Sequence, residues 1–521
     1  MPAPSRTALL SLSDRSGLEE LAGTLSAQGF RLVATSGTAA ALQAAGFACL
    51  AVEDVTRFAP ILGGRVKTLH PAIFGAILAD TDQPAHHADL ERHGLSPISV
   101  VAVTLYPFEQ TLARHDATHQ QIVEDIDVGG VALLRAAAKN YEHVCVLSHP
   151  RHYEEFRHAS RSGFPDRSTR RVWAARAMAL VSRYDSLIAG YLQGQCGDLA
   201  DPLVLALPLK HRLRYGENPW TQAAFYHDDD VADVAQLSGK TLSYNNILDI
   251  DSCLRLIAPI DEPAGFPAAA AAAKPVRAAI VKHTLPCGFA AATVVGDAVD
   301  SALGADPISA FGGIVAVNAR IDERSATSLA GRFLEVVAAP AFDPLALQLL
   351  QRKKNLRLLT FEPDLPARLR ASLTVRSALG GVLAERPDPE APPDAWTSMT
   401  DTRPDARQWR DLLFAFGAVR QVKSNAAVVV RDETAIGVCG GQTNRVAAVE
   451  LACKRAGTLA RSAVLATDGF FPFADGIEAA IAAGISAVVA PSGSIRDAEV
   501  VAAARAAKIA LVFTSRRYFL H

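Results

Sequence analysis

What this sequence lacks narrows its class before any motif is read. It has no excess of charge of one sign: 52 lysines and arginines face 54 aspartates and glutamates, a net charge of -2 without long like-sign runs. That balance gives no reason to expect nucleic acid or an anionic membrane as the main partner, so any phosphate site must be local. It has no C-x-x-C pair. The seven cysteines (49, 145, 196, 253, 287, 439, 453) are odd in number and scattered, which suggests neither a disulfide framework nor a zinc knuckle and fits a reducing, cytoplasmic setting. No ligand set at the usual zinc spacing exists, so no metal is expected. No apolar run is long enough to cross a bilayer: the small-apolar tract 268–273 lies between Pro267 and Pro275 and reads as an inserted loop or short helix. The start of the chain lacks the apolar segment of a signal peptide.

What is present is a chain of 521 residues, half of them hydrophobic, enough for two or more domains. From the start, 8–14 reads as a buried strand, 17–28 as a helix, 30–34 as a strand and 38–45 as a helix, the β-α-β-α order of a parallel sheet. Ser11, Ser13 and Asp14, then Thr35-Ser36-Gly37-Thr38, place small hydroxyl residues and a glycine at helix N-termini. Backbone N–H groups and the helix dipole can hold a phosphate there, although plain helix capping also explains such residues. Gly63-Gly64 frees the backbone beside Arg65, Lys67, Thr68 and His70, a loop able to close over an anion. A strand at 98–103 runs through Thr104 into Leu105-Tyr106-Pro-Phe108. Asp127-Val-Gly129-Gly130 opens a helix, 131–140, whose only charges are Arg135 and Lys139. Helical stretches 149–162 and 167–192 close the first domain, and 194–208 has no long periodic run, so the boundary is placed near residue 200.

In the second half the apolar run from Ala279 ends on Lys282 and His283 and is expected to turn at Pro286 and Gly288. A base and a cation side by side at a strand end can serve one proton transfer, and the ammonium disfavours imidazolium, keeping a neutral base at pH 7. The competing reading is a solvated strand end. The chain then makes two passes of similar strand, glycine-turn and helix units, 278–288 with 304–313, and 426–431 with 440–445 and 468–475, an internal duplication.

The strings Ser13-Asp-Arg-Ser-Gly17, Thr35-Ser-Gly-Thr38, Gly63-Gly-Arg-Val-Lys-Thr-Leu-His-Pro71, Leu105-Tyr-Pro-Phe108 and Asp127-Val-Gly-Gly-Val-Ala-Leu-Leu-Arg-Ala-Ala-Ala-Lys-Asn140 resemble, in order, the IMP cyclohydrolase half of the bifunctional AICAR transformylase/IMP cyclohydrolase family. Leu213-Arg-Tyr-Gly-Glu-Asn-Pro219 and Leu242-Ser-Tyr-Asn-Asn-Ile247 resemble the opening of its transformylase half. The resemblance implies an α/β protein: a methylglyoxal-synthase-like, Rossmann-like domain over 1–200 and a transformylase domain over 201–521, built of two cytidine-deaminase-like α/β subdomains, roughly 201–375 and 376–521. It implies phosphate binding by Ser11, Ser13, Asp14 and Ser36 to Thr38, further substrate contacts from Arg65, Thr68, Thr104 and Gly129, and ring closure by Lys67, Tyr106, Asp127 and Lys139. In the transformylase half, Lys282 and His283 match the catalytic pair and Asn425 a substrate-positioning asparagine. Arg214, Tyr215, Asn246, Gly312, Glu335, Arg445, Phe470, Pro472, Asp475, Ser494, Ile495, Arg517 and Phe519 match nucleotide and folate contacts.

Five positions depart from the family's usual residues: Thr104, Trp220, Thr221, Leu285 and Asn444. The cytidine-deaminase likeness raises a deaminase as a rival, but that chemistry needs H-x-E with P-C-x-x-C. Pro286-Cys287 lacks the second cysteine, and the H-x-E of His152-Tyr-Glu154 lies in the other domain, on an expected surface helix. What the resemblance implies is therefore formyl transfer from 10-formyltetrahydrofolate to AICAR, then cyclisation of formyl-AICAR to IMP, by a cytoplasmic homodimer. A cyclohydrolase with a drifted C-terminal half and a non-catalytic nucleotide-binding regulator are the competing functions. Lys67, Asp127, Lys139, Lys282 and His283, all present, argue against the regulator.

Overall fold

The computed structural model describes residues 6–114, 116–194, 202–227, 234–264, 266–267, 275–387 and 394–521. Cys196, the boundary expected near residue 200 and the tract 268–273 lie outside them. By internal contacts the chain divides into two compact units, Met1–Leu207 and Pro208–His521.

In the first unit, β1 (Thr7–Leu12), β2 (Arg31–Ala34), β3 (Cys49–Ala51), β4 (Ile98–Thr104) and β5 (Cys145–Leu147) form a parallel sheet in the order β3-β2-β1-β4-β5. The inner strands are apolar along almost their whole length because helices cover both faces, so Leu9, Leu10 and Val100 to Val103 are all fully buried. The strand order reverses between β1 and β4. In open α/β sheets the crevice beyond the carboxyl ends of two such strands is where ligands bind, and here those ends are Ser11–Ser13 and Thr104–Tyr106. Helix Arg151–Ala159 corrects one expectation: it is not a surface helix, since His152, Tyr153 and Phe156 are buried on its inner face.

The second unit opens with a small antiparallel pair, β6 (Leu209–Arg212) and β7 (Ala224–Tyr226). The rest is organised by one mixed sheet. Its first half comprises β8 (Val234–Ser238), β9 (Val276–Lys282), β10 (Leu285–Ala292), β11 (Gly313–Val317), β12 (Leu334–Ala339) and β13 (Arg357–Phe361). After a separate hairpin of β14 (Thr374–Ala378) and β15 (Gly381–Glu385), the second half comprises β16 (Trp396–Ser398), β17 (Ala427–Arg431), β18 (Thr434–Cys439), β19 (Val464–Thr467), β20 (Ala487–Pro491) and β21 (Ala510–Thr514). The halves have the same order, β10-β9-β11-β12-β13-β8 and β18-β17-β19-β20-β21-β16, and join where β10 meets β18 antiparallel. The duplication anticipated from the sequence is thus a repeat of topology.

The repeat extends to single residues. A Cβ on Gly288 of β10 would lie 2.2 Å from the Ala302 carbonyl oxygen, and one on Gly437 of β18 would lie 2.2 Å from that of Ala452. At the same place in each half the covering helix comes too close for any side chain. Helices Tyr244–Ile257 and Ala406–Val419 share one face of the sheet, in a core that runs across both halves; on the other face each half has its own core.

The expected turn at Pro286 and Gly288 is corrected. The β9–β10 hairpin turns two residues earlier, at His283 and Thr284, with φ of 55° and 60°, while Pro286 and Gly288 lie inside β10 at an irregular register. Two central residues at positive φ are what a tight two-residue hairpin requires. Without glycine or asparagine at those positions, the sequence carried no sign of it.

Candidate active sites

The crevice at the reversal point is a cavity of about 660 Å³ in the first unit. Thr38, buried at the start of helix Ser36–Ala44, ties the loop ends together: its hydroxyl accepts the Leu12 N–H at 3.0 Å and donates to the Leu12 carbonyl at 3.3 Å. Thr104 repeats the device across the gap, accepting the Asp14 N–H at 2.9 Å and donating to the Asp14 carbonyl at 3.2 Å. The Thr104 hydroxyl, at one of the departing positions, is therefore engaged within the protein.

Of the residues singled out in the sequence, Ser11, Ser13, Gly37, Thr38, Arg65, Lys67, Thr68, Thr104, Tyr106, Asp127 and Gly129 line this cavity. Asp14 and Ser36 do not: Asp14 accepts the Ser16 N–H at 2.9 Å, the Ser16 hydroxyl and then this N–H hold its carboxyl below the usual range, and Ser36 donates to Glu53 at 2.8 Å. Nor does Lys139. It closes the far end of helix Gly129–Lys139, about 15 Å along the axis, in a separate hollow with Phe74, Leu78 and Met178.

Arg15 lines the cavity and was overlooked in the sequence. It runs so close over Gly37 that a Cβ there would lie 2.9 Å from its guanidinium. Arg65 pairs with Glu124, whereas Arg15 and Lys67 form no salt bridge among the described residues. The cations left for an anionic ligand are those two.

Asp127 stands at the mouth of helix Gly129–Lys139, where its carboxylate accepts the Gly130 N–H at 2.6 Å and the Tyr106 N–H at 3.4 Å. Its own N–H donates to the Tyr184 hydroxyl at 2.7 Å, and that hydroxyl donates to the Asp125 carbonyl at 2.9 Å. Burial pushes the Asp127 carboxyl above its ordinary value, opposed by the two N–H donors and by Lys67. Burial, then Asp127, Asp125 and Glu124, raise the Tyr106 phenol, so it stays protonated at neutral pH and can donate. A carboxylate, a phenol donor and two cations with no salt bridge among the described residues thus share one cavity.

In the second unit, Lys282 ends β9 with its ammonium donating to the Phe311 carbonyl at 2.8 Å, and exposed His283 occupies the turn. Gly312, at φ 74°, donates its N–H to the Phe333 carbonyl at 2.8 Å, and the rings of Phe311 and Phe333 meet at 4.9 Å. Asn246 forms a reciprocal capping box with Ser243 and donates its side-chain amide to Glu335 at 2.9 Å, while Glu335 faces Arg357 at 3.5 Å. Arg214, stacked over Tyr215 at 5.6 Å, is brought to this corner because Asn245 donates to the Glu217 carbonyl at 3.4 Å. Thr221 closes that loop by donating to the Asn218 carbonyl at 2.9 Å, and Trp220 is 82 % exposed. Leu285 packs in part against the shared core and also lines, with Lys282 and His283, a hollow of about 390 Å³.

A second group gathers where β17 starts and β19 ends. Arg445 was expected to offer a fork to a ligand; instead it is buried against Asp468, with a further bond to the Ala426 carbonyl at 2.9 Å, leaving its Nε unpartnered. Asp468, also missed in the sequence, accepts the Ser424 hydroxyl at 2.5 Å and the Ala426 N–H at 2.9 Å. Asn425 donates to the Gln442 carbonyl at 3.0 Å, Arg517 lies over Phe519 at 4.6 Å, and Phe519 closes on Gly469. Beside them Phe470 is half-buried and Pro472 exposed, and Asp475, the first residue of its helix, accepts the Gly476 N–H at 2.7 Å. Ser494 accepts the Arg496 N–H at 3.2 Å and Ile495 is wholly exposed. Asn444 caps helix Arg445–Ala456 by accepting the Ala447 N–H at 2.8 Å, work a serine does equally well.

Through β9, β10, β18 and β17, Lys282 and Asn425 lie at the same end of the sheet, three strand spacings or about 14 Å apart. Away from both sites, Asp80, Asp82 and His143 come together in the first unit, but His143 already lies 3.0 Å from Asp80 and 3.0 Å from the Thr81 hydroxyl.

Fold and sites together define a two-unit α/β enzyme, with a cavity lined by Arg15, Lys67, Tyr106 and Asp127 in the first unit and a lysine–histidine strand end in the second. Residues 17–132 match the model of the MGS-like domain and residues 137–455 that of the AICARFT/IMPCHase bienzyme. The chain is 42 % identical over 526 residues to the bifunctional purine biosynthesis protein PurH of Synechocystis sp., covering 99 % of this chain and 100 % of that one. It is 46 % identical over 519 residues to PurH of Chloroflexus aurantiacus, covering 99 % and 98 %. The chain belongs to the AICARFT/IMPCHase bienzyme family.

Proposed function

We propose that this chain catalyses two consecutive steps of purine biosynthesis: formyl transfer from 10-formyltetrahydrofolate to AICAR in the second unit, and cyclisation of the resulting formyl-AICAR to IMP, with loss of water, in the first. The observation that carries the reading is the cavity at the strand-order reversal, which Lys67, Tyr106 and Asp127 line together with Arg15.

For ring closure the carboxamide nitrogen attacks its own formyl carbon, so the enzyme must hold a near-attack conformer, stabilise a developing oxyanion and move protons. Arg15 and the strand-end hydroxyls anchor the phosphate, Asp127 takes the amide proton, and Lys67 with the Tyr106 phenol faces the oxyanion and supplies the proton for the departing water. This cavity chemistry does not use Lys139.

For formyl transfer the amine of AICAR is a poor nucleophile because its lone pair is delocalised. His283 takes its proton during attack, and Lys282 assists departure of the folate nitrogen. The spacing of Lys282 and Asn425 supports a site completed across the two-fold axis of a homodimer. The cytidine-deaminase-like assignment of each repeat and a cytoplasmic location belong to the same reading.

Following IMP formation separately from AICAR with formyl-folate and from preformed formyl-AICAR tests both steps. Cyclisation without transfer would point to the drifted transformylase, and neither activity would point to a regulator. The chain ended after Leu207 should still cyclise formyl-AICAR; a folded but inactive product would remove the assignment of that step to the first unit.

A further inference from the structure

His283 and Thr284 both sit at positive φ with neither glycine nor asparagine between the strands. Left to itself such a turn is unfavourable for side chains of this kind, so something outside it must hold it. That is done by helix Tyr244–Ile257. Asp249 accepts the Thr284 N–H on one carboxylate oxygen at 2.6 Å and the His283 N–H on the other at 3.2 Å. One turn further along, the buried Ser252 hydroxyl donates to the Thr284 carbonyl at 3.1 Å.

The second half of the sheet repeats the clamp without the chemistry. Asp411 accepts the Glu433 N–H at 2.6 Å and the Asp432 N–H at 3.1 Å, and those residues sit at φ 58° and 53°. Asp249 and Asp411 are both the sixth residue of a fourteen-residue helix. In the second half the turn's charge is absorbed locally, since Arg407 faces Asp411 at 3.5 Å and Asp432 at 3.7 Å. Only the first half presents an imidazole on the clamped turn.

We infer that Asp249 is the positioning residue of the transformylase site: its carboxylate holds the backbone of His283 so that the imidazole is fixed relative to Lys282, without touching substrate. The inference rests on His283 being the base of formyl transfer. Asp249→Ala should lower transformylase kcat tenfold or more, leave KM for AICAR within a few fold, and leave cyclisation of formyl-AICAR unchanged. Adding Thr284→Gly should restore most of the loss, because glycine takes positive φ without a clamp. Asp411→Ala, which removes the same clamp where no base is carried, should lower the melting temperature without that loss of turnover.

Normal turnover of Asp249→Ala, while His283→Ala is crippled, overturns the inference and leaves the base assignment standing. Normal turnover of His283→Ala overturns the base assignment and the inference with it. Should Asp249→Ala not fold, Asp249→Asn, which keeps one acceptor oxygen, is compared with and without Thr284→Gly: a gain on adding glycine supports the inference, and no gain overturns it.

Discussion

Phe289 and Phe414 stack face to face, ring centroids 4.3 Å apart and planes 13° apart, one from β10, the strand that joins the first half of the sheet to the second, and the other from a helix of the second half. Both are buried in the core that the two halves share. Removing one ring from such a packed pair leaves a void spanning the repeat. Phe414→Ala should therefore cost about 3–5 kcal/mol of stability, read as a shift in the urea midpoint of the second unit, with cyclisation in the first unit unaffected. A change below about 1 kcal/mol would mean that the halves are not held together through this core.

Arg15 supplies a test of the cyclohydrolase cavity. As an unpaired guanidinium beside Gly37, Thr38 and Ser13, it is placed to make charge-assisted bonds to a phosphate, each contributing about 1.5–3 kcal/mol. Arg15→Ala should raise KM for formyl-AICAR by roughly 10- to 100-fold with kcat within a few fold. If kcat collapses and KM does not move, Arg15 acts on the reacting atoms and not as an anchor.

The residues whose role follows from neighbours in the chain were legible in the sequence. Ser13, Gly37 and Asp127 sit next to strand or helix ends and Lys67 in a loop marked by Gly63-Gly64, and buried parallel strands read as apolar runs with their ends marked. Asp249 and Asp468 were not legible. Asp249 serves backbone groups more than thirty residues away, and Asp468 serves an arginine twenty-three residues back. His152 was misplaced because its helix carries Arg151, Glu154, Glu155 and Arg157 on the outside, which masks a buried inner face.

That buried face sets a pH dependence. Neither ring nitrogen of His152 has a hydrogen-bond partner, and burial lowers its pKa from the usual 6.5 to about 4. The unfolded chain takes up the proton more readily, so the stability from a neutral His152 is complete above pH 6.5 and is lost as pH falls toward 4. The loss amounts to about 3 kcal/mol for a shift of this size. Melting of the first unit should steepen over that window, and His152→Leu should flatten it. An unchanged profile in the variant would assign the acid lability to other groups.

The spacing of Lys282 and Asn425 bears on assembly. With their backbones about 14 Å apart along the sheet, the two stand on separate strands, and under the homodimer reading each site draws on both protomers. Mixing Lys282→Ala with Asn425→Ala, each inactive alone, should recover about a quarter of normal transformylase activity as heterodimers form with one intact site in two and dimers distribute statistically. No recovery in purified heterodimers would remove the shared-site arrangement for this pair.

Leu285 departs from the family's usual residue and lines the same hollow as His283, which raises the question whether an apolar neighbour deprives the imidazole of support. The geometry indicates otherwise. Leu285 pairs through its backbone with Lys282 and packs its side chain in part against the shared core, while His283 is held by Asp249 through its main-chain N–H. Leu285→Asn would therefore leave the main-chain hold on His283 in place and would put an amide against apolar surroundings, at about 1–3 kcal/mol if it finds no partner. The expected result is a lower melting temperature with transformylase kcat unchanged within a few fold. A clear rise in kcat would show that the ring itself, and not only its backbone, is under-supported in this protein, and that an amide at position 285 can reach it.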